Sequence, residues 1–319
     1  MKFKESVTFS GGASQGLGYF KPLLEAEAIG LSFAGKYVGM TSAGIVMWTP
    51  YLCGYSVKEL KNMLCSLGGD EYMKEKPHPG EIWHWAKDLK ATFNKDCIET
   101  AKKHFTWEKM LSSGRLADGC KPMFGVCKFI DILRVLKVDL TNGIGDGKFI
   151  PPWIELMNGN PQELIKHVGF YWFSYDGTYK YDVKRKKIVR VSKKVTPLWK
   201  VFMAGFSNVR FTGETYRLHF GRCIRQRAFD QGLIMNKGNL LDDDLYSIAC
   251  VPYNQNVTMK NGLKSISDYV YSIKKAVKER TAFPSDHEKD VAFYDFSSER
   301  VQKEYEYARE VYDQDRYFV

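Results

Sequence analysis

The stretch Phe9–Leu24, FSGGASQGLGYFKPLL, sets four glycines immediately ahead of an apolar run. The alternating, β-rich ESVTFS before it reads as a strand. LGYFKPLLEAEAIGL after it has helical spacing and stops at a glycine, with Pro22 tolerated only in the first turns. Backbone N–H groups aimed from a glycine turn suit an anion: a nucleotide phosphate, a bound ion, or the oxyanion of a tetrahedral intermediate. Spacing narrows the choice. A GxGxxG loop needs glycines at its first, third and sixth positions, which Gly11, Gly12, Gly16 and Gly18 do not supply. No Gly-Lys-Ser/Thr follows to make a P-loop. What remains is a hole for negative charge that develops during a reaction, and such a hole calls for a nucleophile.

Working outward, KYVGM reads as a second strand and TSAGIVMWTPYLCGY as a mostly apolar, buried helix. SVKELKNMLCSLG opens on a capping box, Ser56 with Glu59. Strand, loop, helix, strand, turn and helix within seventy residues predict an α/β layered fold with parallel strands. Further on, PGEIWHWAKDLKATF, CIETAKKHFTWEKML and KPMFGVCKFIDILRVL read as helices. LIKHVGFYWFSYDGTYKYDVKRKKIVRV reads as two or three strands turning at Asp176-Gly177, and RQRAF and LYSIACVPY as further strands. LKSISDYVYSIKKAVKER and SSERVQKEYEYAREVY are amphipathic helices. With no repeat and no Pro/Gly/Ser-rich linker, the expectation is a single domain over residues 1–319. Its expected parts are a glycine-loop and elbow region (about 5–70), a variable middle (about 70–195), an aspartate-bearing region (about 196–250) and C-terminal helices (about 251–319).

The 319 residues can bury a sizeable core, and 44% hydrophobic with 26% charged residues excludes wholesale disorder. No run of about eighteen apolar residues exists, so no transmembrane helix is expected. The charged start MKFKESVTF reads as a strand rather than a signal peptide. Seven scattered cysteines without a CxxC pair point to reduced thiols in the cytoplasm, and no ligand-spaced cluster predicts a metal or other cofactor. The net charge of +10 favours anionic partners, membrane headgroups or nucleic acid. No helix-turn-helix, zinc-finger spacing or RNA-recognition motif supports specific nucleic-acid binding. Seven of the eleven residues Lys184–Lys194 are basic; they read equally as a solvated hairpin or as a localisation or lipid-contacting tract.

Ser42, in YVGMTSAGIV, sits between the second strand and the buried helix, followed by Ala43 and Gly44. A helix-start serine is ordinarily an N-cap. A nucleophile elbow also puts a serine there, on a sharp turn with small neighbours and with the helix dipole favouring negative charge. None of His78, His84, His104, His167, His219 and His287 lies in a triad context. Asp118, Asp146 and Asp176 each precede a glycine, as turn residues do. Asp230 differs, because it follows RQRAF and precedes the apolar GLIMN, as a strand-end carboxylate would.

Taken in order, SGGASQG, MTSAG and DQG resemble the glycine-rich loop, Gly-x-Ser-x-Gly elbow and distant Asp-Gly-Gly/Ala motif of the patatin-like phospholipase family. GYSVKEL, LWKVFMAGFSNVRF and FDQGLIMN agree in the flanks. The resemblance spans roughly residues 5–250 and is weakest between 70 and 195. It implies a three-layer α/β/α sandwich around a mostly parallel sheet, and a metal-free serine–aspartate dyad that cleaves acyl esters of phospholipids at a membrane surface. Ser42 would then be the nucleophile and Asp230 its base, with N–H groups around Gly11, Gly12 and Ala13 forming the oxyanion hole. The implied partners are an acyl-ester lipid and an anionic membrane surface, and the implied location is cytoplasmic and peripheral to the membrane. Trp83, Trp85, Trp153, Trp172 and Trp199 are candidates for an interfacial rim, with the core as the ordinary place for most of them. Met40, Gln15 and Gln231 depart from the family's first elbow glycine, its basic residue beside the loop and its middle aspartate-motif glycine. Those departures define the alternative: a catalytically impaired module of the same fold that binds membranes or proteins.

Overall fold

A computed structural model describes residues 1–9, 11, 13–67, 95–129, 168–182, 187–206, 216–218, 221–223, 246–248, 281–282 and 297–319. The chain opens with β1 (Lys2–Phe3) and β2 (Val7–Phe9). A 3₁₀ helix (Ala13–Tyr19) follows and runs into α1 (Phe20–Ala28), then β3 (Ser32–Phe33), β4 (Tyr37–Thr41), α2 (Ala43–Leu52) and α3 (Val57–Leu67). After these come α4 (Lys95–His104), α5 (Trp107–Ser112), β5 (Lys121–Phe129), β6 (Val168–Ser174), β7 (Gly177–Asp182) and β8 (Lys187–Ser192). The remaining elements are α6 (Leu198–Phe206), β9 (Tyr216–Leu218), β10 (Gly221–Cys223), β11 (Tyr246–Ile248), β12 (Thr281–Ala282) and α7 (Ser298–Val311).

Ten of these strands form one mixed sheet, ordered β12-β11-β2-β4-β5-β6-β7-β8, with β10 on β5 and β9 on β10. From β12 to β5 every neighbour is parallel; from β5 to β8 every neighbour is antiparallel. A separate parallel pair, β1 with β3, lies outside it. The fold is thus mixed α/β, with the predicted parallel order confined to one half of the sheet.

Local signals explain the first elements. Pro22 falls in the first turn of α1, where its missing N–H costs nothing. Ser56 and Glu59 close the predicted capping box: the Ser56 N–H donates to Glu59 Oε2 at 2.7 Å, and the Glu59 N–H donates to Ser56 Oγ at 3.2 Å. All ten residues of α2 are buried, as its apolar sequence demands. The predicted helix over CIETAKKHFTWEKML is two helices, because Thr106 caps α5 by accepting a bond from the Lys109 N–H. The two or three strands expected over LIKHVGFYWFSYDGTYKYDVKRKKIVRV are three, β6, β7 and β8, and the strand in LYSIACVPY is observed as β11. The expected strand RQRAF and the helices PGEIWHWAKDLKATF and LKSISDYVYSIKKAVKER lie outside the described residues.

The helix expected over KPMFGVCKFIDILRVL is contradicted: Lys121–Phe129 is β5, paired with β4 on one edge and β6 on the other. Phe124 and Val126 join the main core while Met123, just before Phe124, joins a second buried cluster with Trp172, so consecutive apolar residues serve opposite faces. A strand buried on both faces is continuously apolar and mimics a helix in sequence.

Trp48 centres the main core. Phe9 stacks on it with ring centroids 3.8 Å apart, and Tyr19, Phe33, Tyr51 and Phe318 meet it edge-on. The fully buried Glu25 of α1 accepts the backbone N–H groups of Tyr317 and Phe318, tying the chain's last residues to its first helix. Trp172 is a core residue and Trp199 is half-buried; Trp83, Trp85 and Trp153 lie outside the described residues.

Candidate active site

β2 and β4 are adjacent parallel strands, with Phe9 opposite Met40, so both end at the same edge of the sheet. From β2 the chain enters the glycine loop; from β4 it turns at once into α2. The residue at that second turn is Ser42, with φ 48° and ψ −121°. Among the described residues it is the sole non-glycine at positive φ. An L-residue there is strained by about 1–3 kcal/mol, and such strain persists only where the surroundings impose it. Here β4 and the wholly buried α2 impose it from both sides.

Ser42 makes no side-chain capping bond to α2. Its carbonyl instead accepts the Ile45 N–H at 2.9 Å and the Val46 N–H at 3.2 Å, starting the helix through the main chain. The helix is thus begun by the Ser42 main chain and not by a side-chain cap. Ser42 is 9% exposed, so its hydroxyl lies at the rim of the interior and at the positive end of the α2 dipole.

The glycine loop is packed onto this turn. A Cβ built on Gly11 would stand 2.7 Å from the Ser42 Cβ and 3.3 Å from its Oγ; one on Gly16 would stand 2.4 Å from the Ala43 Cβ. Only glycine permits main chain that close to the elbow. Gly11 and Ser42, thirty-one positions apart in sequence, are thus brought together. Gly16 fits the loop to the residue after the serine, a role that the sequence alone does not mark. Its signal was a third glycine beyond the first pair, and its contact is visible only in three dimensions. Ala13 opens the 3₁₀ helix, while Gly12 and Asp230 lie outside the described residues.

Met40 needs no glycine. It lies within β4, fully buried in the core, at a φ that any residue adopts. Gln15 sits in the 3₁₀ helix with its buried Oε1 lacking a hydrogen-bond partner, and Gln231 lies outside the described residues.

Other titratable groups have structural partners. Asp176 accepts from Lys121 Nζ at 2.7 Å and from the Tyr179 hydroxyl at 2.6 Å at the β6–β7 turn, and Gly177 has φ 143°. Burial works to raise the Asp176 pKa, but these bonds outweigh it and hold the carboxyl below its usual value. Asp118 precedes Gly119 at φ 85°, as a turn requires, and Asp146 lies outside the described residues. His104, the one described histidine, bonds through Nδ1 to the Tyr55 hydroxyl; burial and then Lys109 and Lys103 lower its pKa. Cys53, Cys65 and Cys120 are free thiols, and burial pushes Cys53 and Cys120 up to about 12, which keeps them protonated. Among the described residues no cluster of metal-ligating side chains occurs, and no helix is long and apolar enough to cross a membrane.

No protein-family model matches the chain, and no curated protein matches its sequence. Among solved structures it is similar to VipD from Legionella pneumophila at a TM-score of 0.37 and 9% identity, over 98% of this chain and 67% of that one. A likeness of that size assigns neither fold nor activity.

Proposed function

We propose that the chain is a serine acyl hydrolase that cleaves acyl esters of phospholipids at a membrane surface, as a single patatin-like α/β/α domain. The carrying observation is Ser42: positive φ, no capping bond, and a glycine main chain packed against it at the strand-to-helix turn. Burial of Met123 and Trp172 on the sheet face opposite the main core supports a sheet shielded on both sides, as three layers require.

In this reading Asp230 accepts the Ser42 hydroxyl proton as Oγ attacks the ester carbonyl. N–H groups around Gly11, Gly12 and Ala13 donate to the oxyanion. Collapse expels the lysolipid alkoxide, which takes the proton from Asp230. Water then gives a proton to Asp230 and attacks the acyl-serine, releasing the fatty acid and restoring the serine hydroxyl. Chain topology supports the partnership. Lys128 of β5 pairs with Gly169 of β6 and with Cys223 of β10, so β10 occupies the edge of β5 that β4 leaves after Thr41–Gly125. Asp230 follows Cys223 by seven residues, a span of at most about 25 Å.

The test is a fluorophosphonate probe with peptide mapping, alongside hydrolysis of mixed phospholipid vesicles. Labelling at Ser42 that disappears in Ser42→Ala, with lysolipid and fatty acid as products, is expected. A folded wild type that neither labels nor hydrolyses would leave the non-catalytic binding module as the reading.

A further inference from the structure

Sheet register supplies an orientation that chain order hides. Thr41 pairs with Gly125, Gly125 with Trp172, Trp172 with Tyr179 and Tyr179 with Arg190, so these residues form one row across β4 to β8. Ser42 follows Thr41, and the elbow therefore opens at the edge beyond that row. β4 ends there, but the other strands run on. Val126, Tyr171, Lys180 and Val189 make the next row; Lys128 with Gly169 and Asp182 with Lys187 lie two residues further out. At about 3.3 Å per residue the sheet projects roughly 10 Å past the elbow, within about 20 Å laterally of β4. The β10–β9 pair joins β5 at Lys128 in this same projection.

The projection is basic. By register, Lys128, Lys180, Lys187, Arg217 and Arg222 occupy positions on it, with Asp182 the single acidic residue among the described residues of these strands. Lys180 is exposed, with Nζ 5.8 Å from the centre of the Tyr171 ring. Arg222 is directly opposite Arg217.

Register also divides the basic stretch Lys184–Lys194. Lys187 belongs to the elbow edge. Ser192 pairs with Thr178 at the other end of β8, so the exposed Lys193 and Lys194 follow on the far side of the sheet. Lys184, Arg185 and Lys186 lie outside the described residues.

We infer that the projecting edge formed by β5–β8 and β9–β10 docks on an anionic lipid bilayer and presents the Ser42 elbow to it. The inference rests on the reading of Ser42 as a lipid hydrolase nucleophile, because an insoluble ester is met only by the edge that faces the bilayer. Charge selects the occupant, and location at the Ser42 edge selects lipid over other polyanions.

The experiment uses the full chain carrying Ser42→Ala, so vesicles stay intact and binding is read without catalysis. Sedimentation is measured with phosphatidylcholine vesicles and with vesicles about one-third phosphatidylserine. Two charge-neutralised pairs, Lys180→Gln/Lys187→Gln and Arg217→Gln/Arg222→Gln, are compared with Lys193→Gln/Lys194→Gln at the opposite end. Thermal melts establish that all are folded. Each elbow-edge pair is expected to weaken anionic-vesicle binding roughly tenfold, and the opposite pair less than twofold. Equal losses from all three pairs, no loss from either elbow-edge pair, or equal binding to neutral vesicles would overturn the orientation. Stronger binding to duplex DNA than to anionic vesicles, lost in the same two pairs, would reassign the edge to nucleic acid and overturn the lipid assignment. Oriented docking without Ser42 labelling would sink the hydrolase reading alone, whereas labelling with unoriented binding would sink the docking alone.

Discussion

The parallel and antiparallel halves of the sheet do different work. In the parallel half, strands β2 and β4 are three and five residues long, and each hands the chain to a loop or helix at the same edge. That arrangement collects a glycine loop and a helix N-terminus around Ser42. In the antiparallel half, β5 to β8 are six to nine residues long and follow one another directly as neighbours. Antiparallel neighbours need no crossover helix between them, so this half makes an extended surface rather than a convergence of loop ends. Chemistry gathers where βα turns converge, and a broad face forms where strands return on themselves.

Substitutions should divide along that line. The largest expected effect is Ser42→Ala, which should lower phospholipid hydrolysis by about three orders of magnitude or more while the melting temperature stays within a few degrees. A residual rate near wild type would remove the parallel half from the chemistry. Asp230→Asn should fall nearly as far, since an amide accepts no proton; retained activity would break the dyad assignment.

Glycine replacements compare the halves directly. Gly11→Ala forces a methyl against Ser42, and kcat should drop roughly a hundredfold in a protein that still folds. Gly177→Ala in the antiparallel half places a Cβ 2.2 Å from the Ser192 carbonyl oxygen at φ 143°. It should cost stability, about 1 kcal/mol or more by denaturant melts, yet leave the rate per folded molecule unchanged. An equal loss of rate in both would show the halves to be one functional unit.

Smaller is the strain at the elbow. Ser42→Gly and Ser42→Ala should both be inactive, but glycine should melt higher, by about 1–3 kcal/mol, because it relaxes the positive φ. Equal stabilities would mean that the turn stores no strain. Least of all is the acid response of the antiparallel half. The Asp176 pKa is depressed in the folded chain, so its contribution is present above its ordinary value of 3.8 and fades as pH falls through the folded value. Asp176→Asn should flatten the decline in melting temperature at and below that pH, and an unchanged slope would remove Asp176 from the account.

Much of this was legible along the chain wherever a requirement is local. The capping box at Ser56, the glycine stop after α1, the buried α2 and the small residues after Ser42 each report the conformation of a few consecutive residues. The β5 segment reads as a helix for a physical reason: covered on both faces, it offers no alternation, and its strand identity comes from partners on either side. Of the site, Ser42 and Gly11 were readable individually, whereas Gly16 was not, because its role is a contact with Ala43.

By itself, then, the sequence determined where the chain must turn sharply, which segments are apolar enough to be buried, and which side chain stands at the strand-to-helix junction. Tertiary structure alone decided that the glycine loop lies against that junction. It also decided that the sheet changes from parallel to antiparallel at β5, and that one basic stretch is shared between opposite edges. The reason is that strand order and register arise from hydrogen bonds between residues tens to hundreds of positions apart, and no local propensity encodes which distant partner a strand will meet.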